Sequence, residues 1–369
     1  MAKGVYFGVG EKARKVKKLY FGVGDKSRKV KKMFFGVDGK ARICYSAGLS
    51  KVKTMTVNNK VEGRWSNFQG ACTSIGSYLL IDSIDDKSKG HAEYINTSLI
   101  RGDATPAYGA GRKYKGAASN SNYAIFTGGL VESNNYYSRS GTCYTPELTI
   151  TDSITFIKTG RSGMGCGTIA NNAVFAGGDI SSSAQTNIVD VVNSSLGVSV
   201  LNLPFDIAYP IGLNIGGVLL FAHGYNRVAA YNYSTAYITQ GLSVSQHTSV
   251  SRFTSSGDSA GAANKNYALY QNGSSVDVFT ANLAYDRLEN FPGSYRMAGL
   301  SFDDYAVFAG GTLSGNKVYV YDKNLVVDVL EDLSESKTRI LAGKLGDRGF
   351  FIGGALEQGT SNLVDIYEI

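Results

Sequence analysis

The feature that most limits the fold of this chain is a short apolar segment that recurs about every 45 residues and often ends in two glycines. The clearest copies read YAVFAGG from Tyr305 to Gly311, NAVFAGG from Asn172 to Gly178 and YAIFTGG from Tyr123 to Gly129. The apolar residue before the turn recurs seven times, at Ile81, Phe126, Phe175, Phe221, Tyr270, Phe308 and Phe351. A period of this length predicts a propeller or a solenoid, in which each unit buries its apolar face against its neighbours.

Each copy continues into further strand-like segments. A β-branched run follows the glycines, as in NIVDVV from Asn187 to Val192, and a third run such as LVVDVL follows at residues 325–330. A glycine-rich segment, such as RILAGKL at residues 339–345, then leads into the next copy. Four strands in a unit of this length are typical of a propeller blade. The sequence therefore predicts an all-β protein in which residues 46–369 form a seven-bladed β-propeller.

The order of these strands, with the double glycine closing the second one, resembles that of kelch repeats. The resemblance covers roughly residues 50–369 and implies a kelch-like β-propeller. The last copy ends at Glu368-Ile369 directly after its third strand, whereas KVKTMTV at residues 51–57 is a strand-like segment without a blade of its own. Pairing this segment with the last blade would close the ring and remove an open sheet edge.

The first 45 residues form a separate segment by charge. Residues 1–42 contain ten lysines and three arginines against three acidic residues, and the rest of the chain has 24 basic and 27 acidic residues. Charge asymmetry of this kind indicates two segments with different roles. We therefore predict a basic arm at residues 1–45 that precedes the propeller.

The arm repeats every 14 residues, with Gly8, Gly22 and Gly36 in register. Its glycines disfavour a coiled coil, whereas its β-branched and aromatic residues favour a small strand-turn-strand unit in each repeat. Such a unit cannot bury its aromatic side chains alone. We therefore expect the arm to pack against copies of itself or against a larger assembly. The aromatic and arginine positions that recur in it are Tyr6, Phe7, Arg14, Tyr20, Phe21, Arg28, Phe34, Phe35 and Arg42.

Repeats of the form YFGVGxKARKVKK also resemble those near one end of structural proteins that bacteriophages and prophages of Gram-positive bacteria encode. This resemblance covers about 42 residues and implies a virion component, made in the cytoplasm of a bacterial host. Two other interpretations of the arm remain open, namely a solvated basic tail and a nucleic-acid binder with lysine and arginine on phosphates. Other virion proteins or copies of the same chain, and not nucleic acid, are the partners that we expect.

The residues that usually carry chemistry form no recognised motif. His91, His223 and His247 lack metal-binding spacings, and the four cysteines contain no C-x-x-C pair. Cys166 lies among glycines, without a basic partner at a fixed spacing that would make it a nucleophile. We therefore expect neither a catalytic site nor a cofactor or metal ion. No apolar run approaches the length needed to cross a bilayer, so we expect no membrane insertion.

The connections between strands are the remaining candidates for function, because loops on a rigid scaffold commonly carry recognition. Polar residues with tyrosine suit adaptable recognition, including that of sugars. We select Asn134, Asn135, Tyr136 and Tyr137 as candidate recognition residues.

From this, we expect an oligomeric component of a phage tail, baseplate, collar or fibre, anchored by its arm, whose propeller binds a host-surface glycan or protein or another virion protein. The alternatives are a cytoplasmic kelch-type scaffold with a nucleic-acid-binding arm and a propeller enzyme that acts on a glycan.

Overall fold

The computed structural model describes two units of the chain, one formed by Met1–Ser50 with Tyr367–Ile369 and the other by Lys51–Ile366. Up to residue 46, the described features are those of the backbone. The described residues are 6–9, 12–15, 20–23, 26–29, 32–37, 40–46, 49–58, 61, 70–84, 90–105, 111–131, 134–225, 235–247 and 258–369.

The first unit contains three antiparallel hairpins. Each hairpin corresponds to one of the 14-residue repeats. The paired strands are β1 (Tyr6–Val9) with β2 (Lys12–Lys15), β3 (Tyr20–Val23) with β4 (Lys26–Lys29), and β5 (Lys32–Val37) with β6 (Lys40–Ser46).

The second unit is a seven-bladed β-propeller, which confirms the predicted fold class. Each blade is a four-stranded antiparallel sheet, and the blades are numbered 1 to 7 in chain order. The described residues form strands and turns without an α-helix. In that part of the chain, no helix is long and apolar enough to span a membrane.

The first two strands of each blade carry the glycine-rich segment and the apolar repeat. The first strands, which surround the central channel, are β8 (Ala71–Ile75), β12 (Gly116–Ser119), β18 (Gly165–Ile169), β22 (Ile211–Ile215), β26 (Ala260–Ala263), β30 (Ala298–Ser301) and β34 (Leu341–Leu345). The second strands are β9 (Tyr78–Ile84), β13 (Ala124–Thr127), β19 (Asn172–Ala176), β23 (Val218–Ala222), β27 (Tyr267–Asn272), β31 (Tyr305–Ala309) and β35 (Arg348–Ile352).

The third and fourth strands complete each blade toward its outer edge. The third strands are β10 (Gly90–Asn96), β16 (Ser140–Tyr144), β20 (Ile188–Val192), β24 (Thr235–Thr239), β28 (Ser275–Thr280), β32 (Val318–Asp322) and β36 (Leu363–Glu368). The fourth strands of blades 1 to 6 are β11 (Arg101–Ala104), β17 (Ile150–Thr155), β21 (Val198–Asn202), β25 (Val244–His247), β29 (Tyr285–Leu288) and β33 (Val327–Val329). The fourth strand of blade 7 is β7 (Ser50–Thr56), which lies beside β36 and joins the two ends of the propeller sequence in one sheet.

The repeated apolar segment forms the second strand because both of its faces are buried between neighbouring blades. The seven aligned residues from Ile81 to Phe351 are at most 2% exposed. A strand that is covered on both faces has no reason to alternate apolar with polar side chains, and this explains the continuous apolar runs in the sequence.

Small residues let the first strands approach one another around the channel. A Cβ atom on Gly299 would collide with the carbonyl oxygen of Gly261 in the preceding blade, and one on Gly212 would collide with that of Cys166. The double glycines at the ends of the second strands are favoured for a different reason. Gly177 and Gly178 have φ angles of 63° and 115°, in the left-handed region that glycine adopts most easily.

Candidate recognition face and central channel

The two faces of the propeller carry connections of different length. In an antiparallel blade, the turns between strands one and two and between strands three and four lie on one face. This short-turn face has tight turns such as 76–77, 170–171 and 346–347. The connections between strands two and three and between blades lie on the opposite, long-connection face. Most of them are longer, as at 177–187, 310–317 and 353–362, although blade 5 has a two-residue turn at 273–274.

The predicted recognition residues lie on the long-connection face, in a small hairpin of blade 2. This hairpin pairs β14 (Leu130–Val131) with β15 (Tyr136–Tyr137). The Tyr136 side chain is 52% exposed, and Asn134 and Asn135 are exposed beside it. Asn134 Oδ1 accepts a hydrogen bond from the Tyr136 N–H at 3.2 Å, and Asn135 adopts a left-handed φ of 51°. Asparagine tolerates that conformation better than most residues.

Backbone hydrogen bonds fix the base of this hairpin to its neighbours. The Leu130 N–H donates to the Lys113 carbonyl at 2.7 Å, and the Arg161 N–H donates to the Ser138 carbonyl at 3.2 Å. Gly160 packs so closely that a Cβ atom there would collide with the Tyr137 carbonyl oxygen. The exposed tyrosine therefore projects from a hairpin base with a defined position.

The arm residues fall in equivalent places of the three hairpins. The directly opposed pairs on the paired strands are Phe7 with Arg14, Phe21 with Arg28, and Phe35 with Arg42. Tyr6, Tyr20 and Phe34 precede these phenylalanines on the same strands. The side chains of the arm lie outside the described part of the structure, so its role in assembly stays a prediction.

The central channel has a volume of about 330 Å³ and is lined by segments of all seven blades. Its wall is mainly glycine, alanine and other small side chains from the first strands. Tyr114 and Tyr209 line it on the long-connection side, with ring centroids 5.9 Å apart in an edge-to-face arrangement. The lining residues lie at the starts of the first strands and in the connections before them, so this volume adjoins the long-connection face.

A buried ion pair lies beside the channel. Lys115 Nζ donates to Asp82 Oδ1 at 2.5 Å, and both side chains are 2% exposed. Burial raises the pKa of Asp82 and lowers the pKa of Lys115, because removal from water disfavours the charged forms. Since Asp82 belongs to blade 1 and Lys115 lies directly before blade 2, the pair links two blades.

A second buried pair holds the connection into blade 3. Arg161 lies 2.6 Å from Asp190, and both side chains are fully buried. Arg161 also donates to the carbonyl oxygens of Gly177 and Phe175, at 2.7 and 3.0 Å. Asp190 accepts a further hydrogen bond from the Lys158 N–H at 3.0 Å. Burial lowers the pKa of the Arg161 guanidinium, although Asp190 opposes that shift.

Blade 7 has the same arrangement with one more cation. Asp365 lies 3.1 Å from Lys337 and 2.8 Å from Lys51 of the closing strand β7. The Ser334 N–H and hydroxyl donate to the same carboxylate at 3.1 and 2.6 Å. Although burial alone would raise the pKa of Asp365, Lys337 and the bonds from Lys51 and Ser334 hold it below its ordinary value.

His223 takes the place of the first glycine in blade 4 and keeps the left-handed backbone, with φ of 58°. Its ring stacks on Tyr270 at a centroid distance of 5.1 Å. Nδ1 lies 3.1 Å from Ser259 Oγ, and Nε2 lies 3.0 Å from Asp277 Oδ2. Tyr285 donates its hydroxyl to the other oxygen of Asp277 at 2.7 Å. These contacts join a turn of blade 4 to blade 5 in the buried interior.

Cys166, which the sequence placed among glycines, lines the channel. Although it is partly accessible from the channel, its burial in the protein raises the pKa of its thiol to about 12. A thiol with so high a pKa remains protonated at neutral pH and is a poor nucleophile.

The structure brings together three residues that sequence reasoning did not combine, namely His91, Glu93 and Asp103 in blade 1. His91 and Glu93 lie two residues apart on one face of β10, and Asp103 on β11 is directly opposite Glu93. The useful sequence pattern would have been the alternation H-x-E on a strand, followed by an aspartate on the next strand. The sequence shows H-x-E at residues 91–93, but which aspartate lies opposite Glu93 depends on the register between the two strands.

Comparison with protein-family models and with curated protein sequences finds no match for this chain.

Proposed function

We propose that this protein is an anchored recognition protein of a phage-like particle, in which the basic arm attaches the chain to the assembly and the kelch-type propeller binds a partner. The observation that carries the proposal is the difference between the two faces of the propeller. Most of the long connections and the exposed Tyr136 lie on one face, whereas the other face carries short turns. A rigid scaffold with variable connections on one side suits recognition.

The hairpin of blade 2 is the part of the propeller that we expect to contribute most to binding the partner. Tyrosine offers a large amphipathic surface at a low cost in conformational entropy, and asparagine side chains can donate and accept hydrogen bonds. This combination fits a polar partner such as a host-surface glycan. The backbone bonds at the hairpin base reduce the ordering cost of binding, because the exposed side chains start from a defined position.

The repeats of the basic arm support the proposal that the chain is part of a phage-like particle. Three basic repeats place arginine opposite phenylalanine in the same register. Hairpins this small gain stability by packing against other chains. The resemblance of the repeats to those of phage structural proteins points to a virion as the host assembly, with several copies of the chain in each particle.

Fractionation of intact particles tests the anchoring role. We expect the chain to sediment with the particles, and we expect deletion of residues 1–42 to release it while the propeller keeps its thermal unfolding transition. Absence of the full-length chain from purified particles would contradict the proposal.

A binding assay tests the recognition face separately. Tyr136→Ala should weaken binding to host-cell surface glycans about tenfold or more, as for a central interface tyrosine. The matched control is Glu147→Ala, since Glu147 is an exposed residue of the same blade in a turn on the short-turn face. Equal losses in both variants, or none in either, would remove the hairpin from the recognition face.

A further inference from the structure

Blades 1, 3 and 7 share a buried carboxylate that accepts a hydrogen bond from the incoming connection. The Lys158 N–H donates to Asp190 and the Ser334 N–H donates to Asp365. In blade 1, the Asn58 N–H donates to both oxygens of Glu93, at 3.0 and 2.9 Å. The three carboxylates therefore occupy equivalent places.

Three positions after each of these donors, the chain reaches a second set of equivalent residues, namely Arg161 in blade 3, Lys337 in blade 7 and Val61 in blade 1. The carbonyl oxygen of each accepts a hydrogen bond from the second glycine of the preceding blade, at 2.9 Å for Arg161, 3.1 Å for Lys337 and 2.7 Å for Val61. Blades 3 and 7 thus place a buried cation against the carboxylate, whereas blade 1 has valine. Because a buried charge requires compensation, Glu93 obtains it in another way.

The other groups around Glu93 are the imidazole of His91, the carboxylate of Asp103 and the guanidinium of Arg101. His91 Nε2 lies 3.3 Å from Glu93 Oε1 and 4.0 Å from Asp103 Oδ1. Arg101 Nε stands 3.8 Å from the second oxygen, Glu93 Oε2. His91 Nε2 is covered by protein and makes no hydrogen bond to any residue that the structure describes.

From this geometry we propose that His91, Glu93 and Asp103 bind a divalent transition-metal ion, with Zn²⁺ the ion best suited to one imidazole and two carboxylates. Bond lengths of about 2.0–2.2 Å in a tetrahedral site place ligand atoms about 3.3–3.6 Å apart. The distance from His91 to Glu93 already fits. Asp103 is 67% exposed and can approach by a side-chain rotation.

The surroundings orient the ligands in the way that metal sites require. The Asn58 N–H fixes both oxygens of Glu93, and Asn58 Nδ2 donates to Asp103 Oδ1 at 2.9 Å. Such hydrogen bonds to the ligands raise the affinity of metal sites. The three protein ligands leave a fourth position for water. The bound ion would join β10 to β11, and Asn58, which follows the closing strand β7, would hold two of its ligands by hydrogen bonds.

The test uses the untagged full-length chain after treatment with EDTA and its removal. Titration with ZnCl₂ by isothermal calorimetry should show one site per chain, and elemental analysis after desalting should find one zinc. His91→Gln should weaken the affinity at least about tenfold, because it removes the nitrogen ligand. Asp103→Asn should weaken it as well.

The matched control is Asp328→Asn, since Asp328 is an exposed aspartate on the fourth strand of blade 6. Its zinc affinity should equal that of the wild type. Far-UV circular dichroism and thermal unfolding without zinc should agree for all four proteins, so that a loss of affinity reports on the ligands. Absence of stoichiometric zinc in the wild type, or unchanged affinity in His91→Gln, would overturn the proposal.

Discussion

Blades 3 and 7 each contain a buried aspartate paired with a cation from the connection that enters the blade. Blade 7 differs because its fourth strand comes from a distant part of the chain. In blade 3, the cation that compensates Asp190 among the described residues is Arg161. In blade 7, Asp365 is compensated by Lys337 and also by Lys51 from the closing strand. Thr54 Oγ1 of the same strand donates to Asp365 at 3.2 Å. The difference indicates that the closing strand, which no turn connects to its neighbour, is held by side-chain bonds in addition to the sheet ladder.

The largest expected effect comes from removing the closing strand. A chain that begins at Asn58 lacks β7, so blade 7 has an open edge and Asp365 loses two of its partners. We expect the cooperative unfolding transition to broaden or disappear in urea. A chain that begins at Leu49, which is buried and directly precedes β7, is the control and should unfold like the full-length propeller. Similar curves for the two truncations would show that β7 contributes little to closure.

The second prediction concerns blade 3. Asp190→Ala leaves the fully buried Arg161 without its carboxylate, and breaking a buried pair in this way costs about 3–5 kcal/mol. Denaturant unfolding would measure the loss.

Blade 4 supplies the control for this change, since its equivalent positions carry Ile207 and Ala236, both fully buried in one apolar cluster. The double variant Arg161→Ile with Asp190→Ala reproduces that pair and should regain much of the stability. A double variant no more stable than Asp190→Ala would contradict the equivalence of the two blades.

Acid provides a third and smaller test of blade 7. Because Lys337, Lys51 and Ser334 lower the folded-state pKa of Asp365, this carboxylate stabilises the fold above its unfolded-state pKa of about 3.9. The contribution is lost as the pH falls through the lower folded-state pKa. Urea midpoints measured between about pH 5 and 2 should therefore decline less steeply in Asp365→Asn than in the wild type. Parallel declines would assign the acid sensitivity to other groups.

The smallest effect is expected from Lys51 itself. Lys51→Met removes one of two cations and leaves Lys337 in place, so the cost should be about 1.5–3 kcal/mol, as for hydrogen bonds to a charged group. Lys53→Met, an exposed lysine on the same strand, should change stability by less than about 0.5 kcal/mol. Loss of stability in Lys51→Met as large as in Asp190→Ala would mean that the second cation is not redundant.

The fold could be predicted from the sequence because its main signal is periodic. The apolar residue of each second strand recurs in register, and every copy from Ile81 to Phe351 is buried. Each blade needs the same packing between its neighbours, so even the copies that lack double glycines keep the apolar run.

The buried charges could not be predicted in the same way. The aspartates of NIVDVV and NLVDIY are visible in the sequence, but their partners Arg161 and Lys337 lie in connections outside the repeated strands. The group of His91, Glu93 and Asp103 depends on the register between two strands, which the sequence does not specify. The candidate hairpin residues were found because exposed polar loops are visible in composition, but their face follows only from the path of the strands.

The closing strand also determines how the propeller would respond to force. Tension transmitted through the first 49 residues would enter the propeller at Ser50, the first residue of β7. The next side chain is Lys51, which bonds to the buried Asp365, to the Asp332 carbonyl oxygen and to the Ser334 hydroxyl. The cation that completes the blade thus lies where a mechanical load would first act, and it would resist peeling of the strand from its pulled end.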